Sequence, residues 1–378
     1  MADKALAARL KSARESVGLS LTEASRRLGF PNYQTLSKIE EGGRIVKAAE
    51  LSTFARAYYS SVNQLLGIQE ARPPAIFLWR SEGKNEERLE AESRISKHCT
   101  HYVSIEKTLG LPQSAGFPRL VKGREMIRTD GDVDDVASKA CNLLNLGKRP
   151  ACSLAKVLEQ EYGVKLLYLP LSDAGSAASI VHPDWGAVIT INSDEAPWRR
   201  AYDLGHELFH LLTWEVVMPE EKENASLHGD LEKKANRFAS TLLLPDSEIQ
   251  SELHKLLSRS HSISFSDLVD LAREFGVSTK ALLYRMANLR FFTWERADEL
   301  AKNEELSTLD KTRRRADWGQ QPRSERFDFL AVQCLRKGLI SRGKFAEMVE
   351  IDRSDIDSFI EGYGLMETEG GQVEIMAP

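Results

Sequence analysis

Cysteine is scarce in this chain. Its four, Cys99, Cys141, Cys152 and Cys334, are scattered, with none of the spacings of a disulfide framework or a thiolate zinc site. The cytoplasm is therefore the expected location. Long apolar runs are missing as well. None approaches the roughly 18 residues of a membrane helix, so no membrane partner is expected. Nor does the start read as a secretion leader, because Met1-Ala2-Asp3-Lys4 runs straight into an amphipathic segment. A large charge excess is absent too. The net charge of −5 excludes the whole chain as a bulk binder of polyanions.

What is present is an ordinary globular composition. With 42% hydrophobic and 28% charged residues over 378 positions, two or three domains with ample core are expected. The charge is unevenly placed. Residues 1–67 hold ten Lys/Arg against six Asp/Glu, a balance of +4, and the other 311 carry −9. A basic module on an acidic chain implies a local role for that module.

Five short helices are legible in it. Ala5 to Val17 places Leu6, Leu10, Ala13 and Val17 on one face, and Gly18 stops it. Ser20 with Glu23 three places on forms a capping box for the second helix, which ends at Gly29. Tyr33 to Glu41, Lys47 to Tyr59 and Val62 to Leu66 follow. The tight turn between the second and third makes a helix-turn-helix, with the small Ala24 and Ser25 where helices pack closely. The third helix offers Asn32, Tyr33, Gln34, Thr35 and Lys38 to DNA. Asn and Gln read adenine edges, and Lys contacts guanine or phosphate. Arg14, Arg26, Arg27 and Arg44 are candidates for the backbone.

The strongest chemical signal lies further on, at His206-Glu207-Leu208-Phe209-His210. Positions four apart on a helix share a face, so two imidazoles can meet one ion. Glu207 beside them is placed to work on a water. This is the H-E-x-x-H pattern of zinc metallopeptidases. Its flanks read as helix from Trp198 to Trp214. A catalytic zinc takes three protein ligands. Val216 stands where a longer pattern would put a third His. Glu232, near the start of a second helix, is the preferred third ligand, with His228 and Asp230 as alternatives in a loop-like stretch beside Gly229. Tyr202 and His228 are candidate oxyanion donors, with a structural role as the preferred reading for each.

Elsewhere the signals are weaker. Pro73-Pro74 marks a linker, with Ala75 to Arg80 as a short strand and Glu86 to Leu109 as a spacer helix. His98, Cys99 and His101 lack the further ligand a metal needs. Helices over Val133–Leu144 and Ser153–Tyr162 precede strands at Val164–Leu169 and Ala187–Asn192, with Gly175 to Ala178 small and flexible between them. Such a sheet beside the motif helix can hold an extended substrate by its edge. Phe265–Phe275 and Ser278–Leu289 read as two helices around Gly276 that complete the core, with a second helix-turn-helix as the alternative. Residues 294–327, with Arg313-Arg314-Arg315, read as a solvated charged stretch. Phe327–Lys337 and Lys344–Gly362 form a helical tail, frayed from Glu367.

Two resemblances follow from these residues. Residues 9–67 resemble the XRE (Cro-type) helix-turn-helix family, through Arg9-Leu10, Gly18-Leu19-Ser20, Leu28-Gly29, Leu36-Ser37-Lys38-Ile39-Glu40 with Gly42, and Leu51 to Leu66. With the basic balance, this implies DNA as a partner. Residues 150–250 resemble the ImmA/IrrE family of metallopeptidases. The matching blocks are the strand ending Ile191-Asn192, Arg199-Arg200-Ala201-Tyr202-Asp203-Leu204-Gly205 leading into the motif, and Glu232-Lys233-Lys234-Ala235-Asn236-Arg237-Phe238-Ala239 followed by Leu242-Leu243-Leu244-Pro245. Phe209 stands where the family usually has a small residue. This resemblance implies Zn2+ held by His206, His210 and Glu232, with Glu207 as general base. It also implies a protein substrate, a helix-turn-helix repressor or antitoxin, cleaved to relieve repression in stress, phage or toxin–antitoxin settings.

The expected fold is mainly α with a small β-sheet (α+β). Its parts are an all-α helix-turn-helix domain over 1–67, a linker and spacer helix over 68–130, a zincin-like peptidase domain over 131–292, and a charged linker with a helical C-terminal region over 293–378. A homodimer is one expected assembly. The alternative function is a transcription regulator or antitoxin-like protein whose peptidase fold senses or docks without proteolysis.

Overall fold

The computed structural model describes residues 4–60, 62–68, 75–80, 85–112, 117–118, 120–217, 225–260, 262–314 and 322–363. The Pro73-Pro74 break, Arg315 and the tail from Glu367 lie outside them. The chain divides into two compact units, Met1–Cys99 with Ser114–Pro322, and Thr100–Gln113 with Arg323–Pro378. No described helix is long and apolar enough to cross a membrane.

The first unit opens with α1 (Lys4–Ser16), α2 (Leu21–Arg27), α3 (Tyr33–Glu40), α4 (Ala48–Ala57) and α5 (Val62–Leu66). Local chemistry sets their limits. Ser20 Oγ accepts the Glu23 N–H at 3.2 Å, and the Glu23 carboxylate accepts the Ser20 N–H at 3.0 Å, closing the expected capping box. Gly18 and Gly29 end α1 and α2 with φ of 69° and 72°, a region costly for residues with a Cβ. Leu10, Leu36, Ile39, Phe54 and Leu65 form a small core of their own.

Arg14 departs from its expected role. It is buried, with Nε 2.7 Å and Nη2 3.0 Å from the two oxygens of Glu40, and Nη1 donates to the Leu19 carbonyl at 2.7 Å. Position 14 falls on the inner face of α1, so this arginine ties α1 to α3 instead of facing phosphate.

After this module come β1 (Leu78–Arg80), α6 (Asn85–Thr108), α7 (Asp130–Leu143), α8 (Pro150–Gln160), β2 (Lys165–Leu169), β3 (Ala177–His182) and β4 (Gly186–Asn192). The sheet order is β1-β3-β4-β2. β3 pairs antiparallel with both β1 and β4, and β2 runs parallel to β4. One expectation is corrected here. Ala177 and Ala178 belong to a central strand, not a flexible stretch. Their small side chains are fully buried, and the sheet environment outweighs the low strand propensity of alanine. The short strand expected between Ala75 and Arg80 is present as β1, at the sheet edge, where Leu78 pairs with Ser179 across about a hundred residues of sequence.

The unit continues with α9 (Pro197–Leu212), α10 (Ala225–Leu243), α11 (Asp246–Ser260), α12 (Phe265–Glu274), α13 (Thr279–Asn288), α14 (Trp294–Ala301) and α15 (Glu304–Arg314). Leu300 and Leu306 join the same core as Leu208, Phe238, Leu268 and Leu282. This core thus takes in residues past 292, and the expected solvated stretch is largely two helices. Arg314 is buried, donating to the Val277 carbonyl at 2.7 Å and stacked over Trp198 at 4.6 Å. Arg313 bonds Asp270 and Ser266. Both arginines therefore hold α15 in place.

The second unit gathers the end of α6 with α16 (Glu325–Arg336), α17 (Arg342–Val349) and α18 (Ile356–Gly362). Tyr102 and Phe327 pack with ring centroids 5.1 Å apart, and Arg326 bonds Glu106 at 2.7 Å.

Candidate metal centre

Two helices build the site. Pro197 opens α9, at a position where a missing N–H costs nothing. Asn192 at the end of β4 fixes the approach, its Oδ1 accepting the N–H groups of Leu171 and Asp194 at 3.2 and 3.1 Å. Helical phase then aligns Asp203, His206 and His210 on one face of α9. On α10 the same phase aligns Glu232, Asn236 and Ala239. The helices meet closely at Gly205 and Ala239, where a methyl group on Gly205 would lie 3.4 Å from the Ala239 Cβ.

This crossing brings three donors together. His206 Nε2 lies 3.1 Å from Glu232 Oε2, His210 Nε2 lies 3.2 Å from Glu232 Oε1, and the two Nε2 atoms are 3.2 Å apart. A tetrahedral zinc with ligands at about 2.0–2.1 Å would hold its donors about 3.3 Å from one another. The donor set and its spacing therefore fit the ion. Among the described residues this is the group of His, Cys, Asp and Glu close enough to share one metal. His98, Cys99 and His101 are buried on α6 and form no such group.

The third donor sits differently from expectation. Glu232 lies well inside α10, not near a helix start, and His228, Gly229 and Asp230 are helical, not loop-like. The His228 side chain lies outside the described residues. Asp230 pairs with Lys234 at 2.6 Å.

Burial shapes the electrostatics. It pushes the His206 imidazole below its ordinary value, favouring the neutral form a metal requires. Burial alone would push the Glu232 carboxyl up. The two imidazoles at hydrogen-bond distance outweigh it and hold the group well below the usual carboxylate range. Glu207 is fully buried on α9.

Residues that sequence reasoning gave no role surround the donors. His206 Nδ1 lies 3.1 Å from Asn236 Oδ1. Asp203 is buried and paired with Arg80 of β1. Burial pushes its carboxyl up to about 6, with Arg80 opposing the rise. Asn236 follows Glu232 by one helical turn and Asp203 precedes His206 by nearly one, which is the signal available in sequence. The Tyr202 hydroxyl donates to the Asn236 carbonyl at 2.7 Å, which ties α9 to α10, in keeping with the structural reading. Phe209 packs on Phe238, ring centroids 5.5 Å apart, as a core residue.

The candidate DNA contacts divide. Tyr33, Gln34, Lys38 and Arg26 are exposed. Asn32 instead caps α3, its Oδ1 accepting from Thr35 N at 3.2 Å and Thr35 Oγ1 at 3.1 Å. Arg27 pairs with Glu90 of α6 at 2.6 Å, and Arg44 with Glu50 at 2.7 Å.

Comparison with known families agrees with this architecture. Residues 159–287 match the profile of a peptidase family described as the IrrE N-terminal-like domain, and residues 5–65 match that of a helix-turn-helix domain. A search of curated proteins gives no match.

Proposed function

From a chain that carries a helix-turn-helix domain ahead of an IrrE N-terminal-like peptidase domain, we propose a DNA-binding zinc endopeptidase that cleaves a regulatory protein. The substrate class is a helix-turn-helix repressor or antitoxin, and cleavage relieves repression. The observation that carries this reading is the meeting of His206, His210 and Glu232 at 3.1–3.2 Å.

His206, His210 and Glu232 would hold the ion, which when bound supplies a Lewis acid and lowers the pKa of water. Glu207 takes the proton of the attacking water and delivers it to the leaving amine. Asn236 orients His206 from behind. Among the described residues, β1 pairs only with β3, so its outer edge offers backbone groups to an extended substrate segment. Gln34 and Lys38 on α3 are the base-reading candidates, with Arg26 towards phosphate.

Metal dependence tests the reading. The purified chain, mixed with candidate repressors encoded near it, is expected to cut one of them with zinc present. Cleavage should stop after chelation and return on adding zinc. Cleavage that survives full chelation would contradict the proposal.

A further inference from the structure

Arg80 lies outside the matched residues 159–287, yet its side chain reaches both helices of the donor cluster. β1 places it at the edge of β3, opposite Ala177. From there the guanidinium bonds Asp203 on α9 and lies 3.3 Å from Asn236 Oδ1 on α10. It also covers the Tyr202 ring, 5.4 Å from its centroid. The same Asn236 oxygen is the partner of His206 Nδ1 at 3.1 Å.

The donor and acceptor rules settle what these contacts do. An arginine N–H only donates and an amide oxygen only accepts. Arg80 therefore fixes which way the Asn236 amide faces. With an acceptor beside it, His206 Nδ1 must carry the proton. Its Nε2 is left with a lone pair pointing at the donors of His210 and Glu232.

On the reading of this cluster as a metal centre, we propose that Arg80 is a positioning residue: through Asn236 it holds His206 in the tautomer and orientation that ligate the ion. A strand from outside the peptidase match thus completes the surroundings of the centre. A plainer role would be to neutralise the buried Asp203. The two roles differ in one respect. Removing both charges together repairs neutrality but not the orientation of Asn236.

The test is zinc affinity of the full chain by competition with a chromophoric chelator, alongside melting of the metal-free protein. The variants are Arg80→Ala, Asn236→Ala, Arg80→Lys and the double Arg80→Met/Asp203→Asn. Arg80→Ala and Asn236→Ala are expected to bind zinc about 10- to 100-fold more weakly. Arg80→Lys should recover only part of this, because an ammonium lacks the planar fork. The double variant should regain the melting temperature lost in Arg80→Ala yet still bind zinc weakly. Wild-type zinc affinity in the double variant, or in Asn236→Ala, would overturn the proposal while leaving the metal reading intact. A wild-type chain that takes up no zinc would overturn both.

Discussion

Replacing Glu207 by glutamine is expected to remove cleavage while leaving zinc in place. The residue is fully buried on α9, next in sequence to His206. Glutamine matches its shape, so the packing around it should survive. What it lacks is a carboxylate able to accept a proton. General acid–base groups contribute about 10²–10⁴-fold to rate, and a loss of that size is expected in cleavage of the proposed substrate. Metal content by atomic emission should equal that of wild type. Equal cleavage by the two proteins would remove Glu207 from the mechanism.

Replacing Arg14 by alanine should unfold the N-terminal module. The Arg14 and Glu40 side chains are only 10% and 5% exposed. Removing the arginine strands a carboxylate in a low-dielectric interior, which costs about 3–5 kcal/mol. A module of this size has little more than that to lose. Affinity for duplex DNA should collapse for every sequence, together with the module's denaturation midpoint. The double replacement Arg14→Met/Glu40→Met should recover much of the midpoint, because no charge is left unpaired. Exposed Lys38→Ala should weaken DNA binding with the midpoint unchanged. If Arg14→Ala weakens DNA binding without shifting the midpoint, the residue contacts DNA after all.

Arg14 also shows where sequence reading reaches its limit. A basic residue in a basic module reads as a phosphate contact, and only the packing of α1 on α3 reveals the buried partner. Signals set by neighbouring residues were legible. The capping box at Ser20 and Glu23, the five helices of the module and the paired imidazoles of α9 all depend on helical geometry over a few positions. The third donor was legible in identity but not in setting, since its place within α10 depends on where that helix begins.

Long-range contacts were not legible. Asp203 and Arg80 are 123 positions apart, and no periodicity links a three-residue strand to a helix so distant. β3 was missed because Ala177 and Ala178 carry little strand propensity of their own. They are placed by the sheet around them, where both are fully buried, on opposite faces of β3. The stretch 294–314 reads as solvated from its charge, yet Arg314 is among the buried residues, bonded to Asp310 at 2.6 Å.

The central claim is that two imidazoles of α9 and one carboxylate of α10 hold a single zinc ion. Bound metal per chain, measured after zinc saturation and desalting, tests it most directly. Wild type should retain one equivalent, and His206→Ala and Glu232→Ala should each retain almost none. A wild type that emerges metal-free, or variants that keep the full equivalent, would contradict the account.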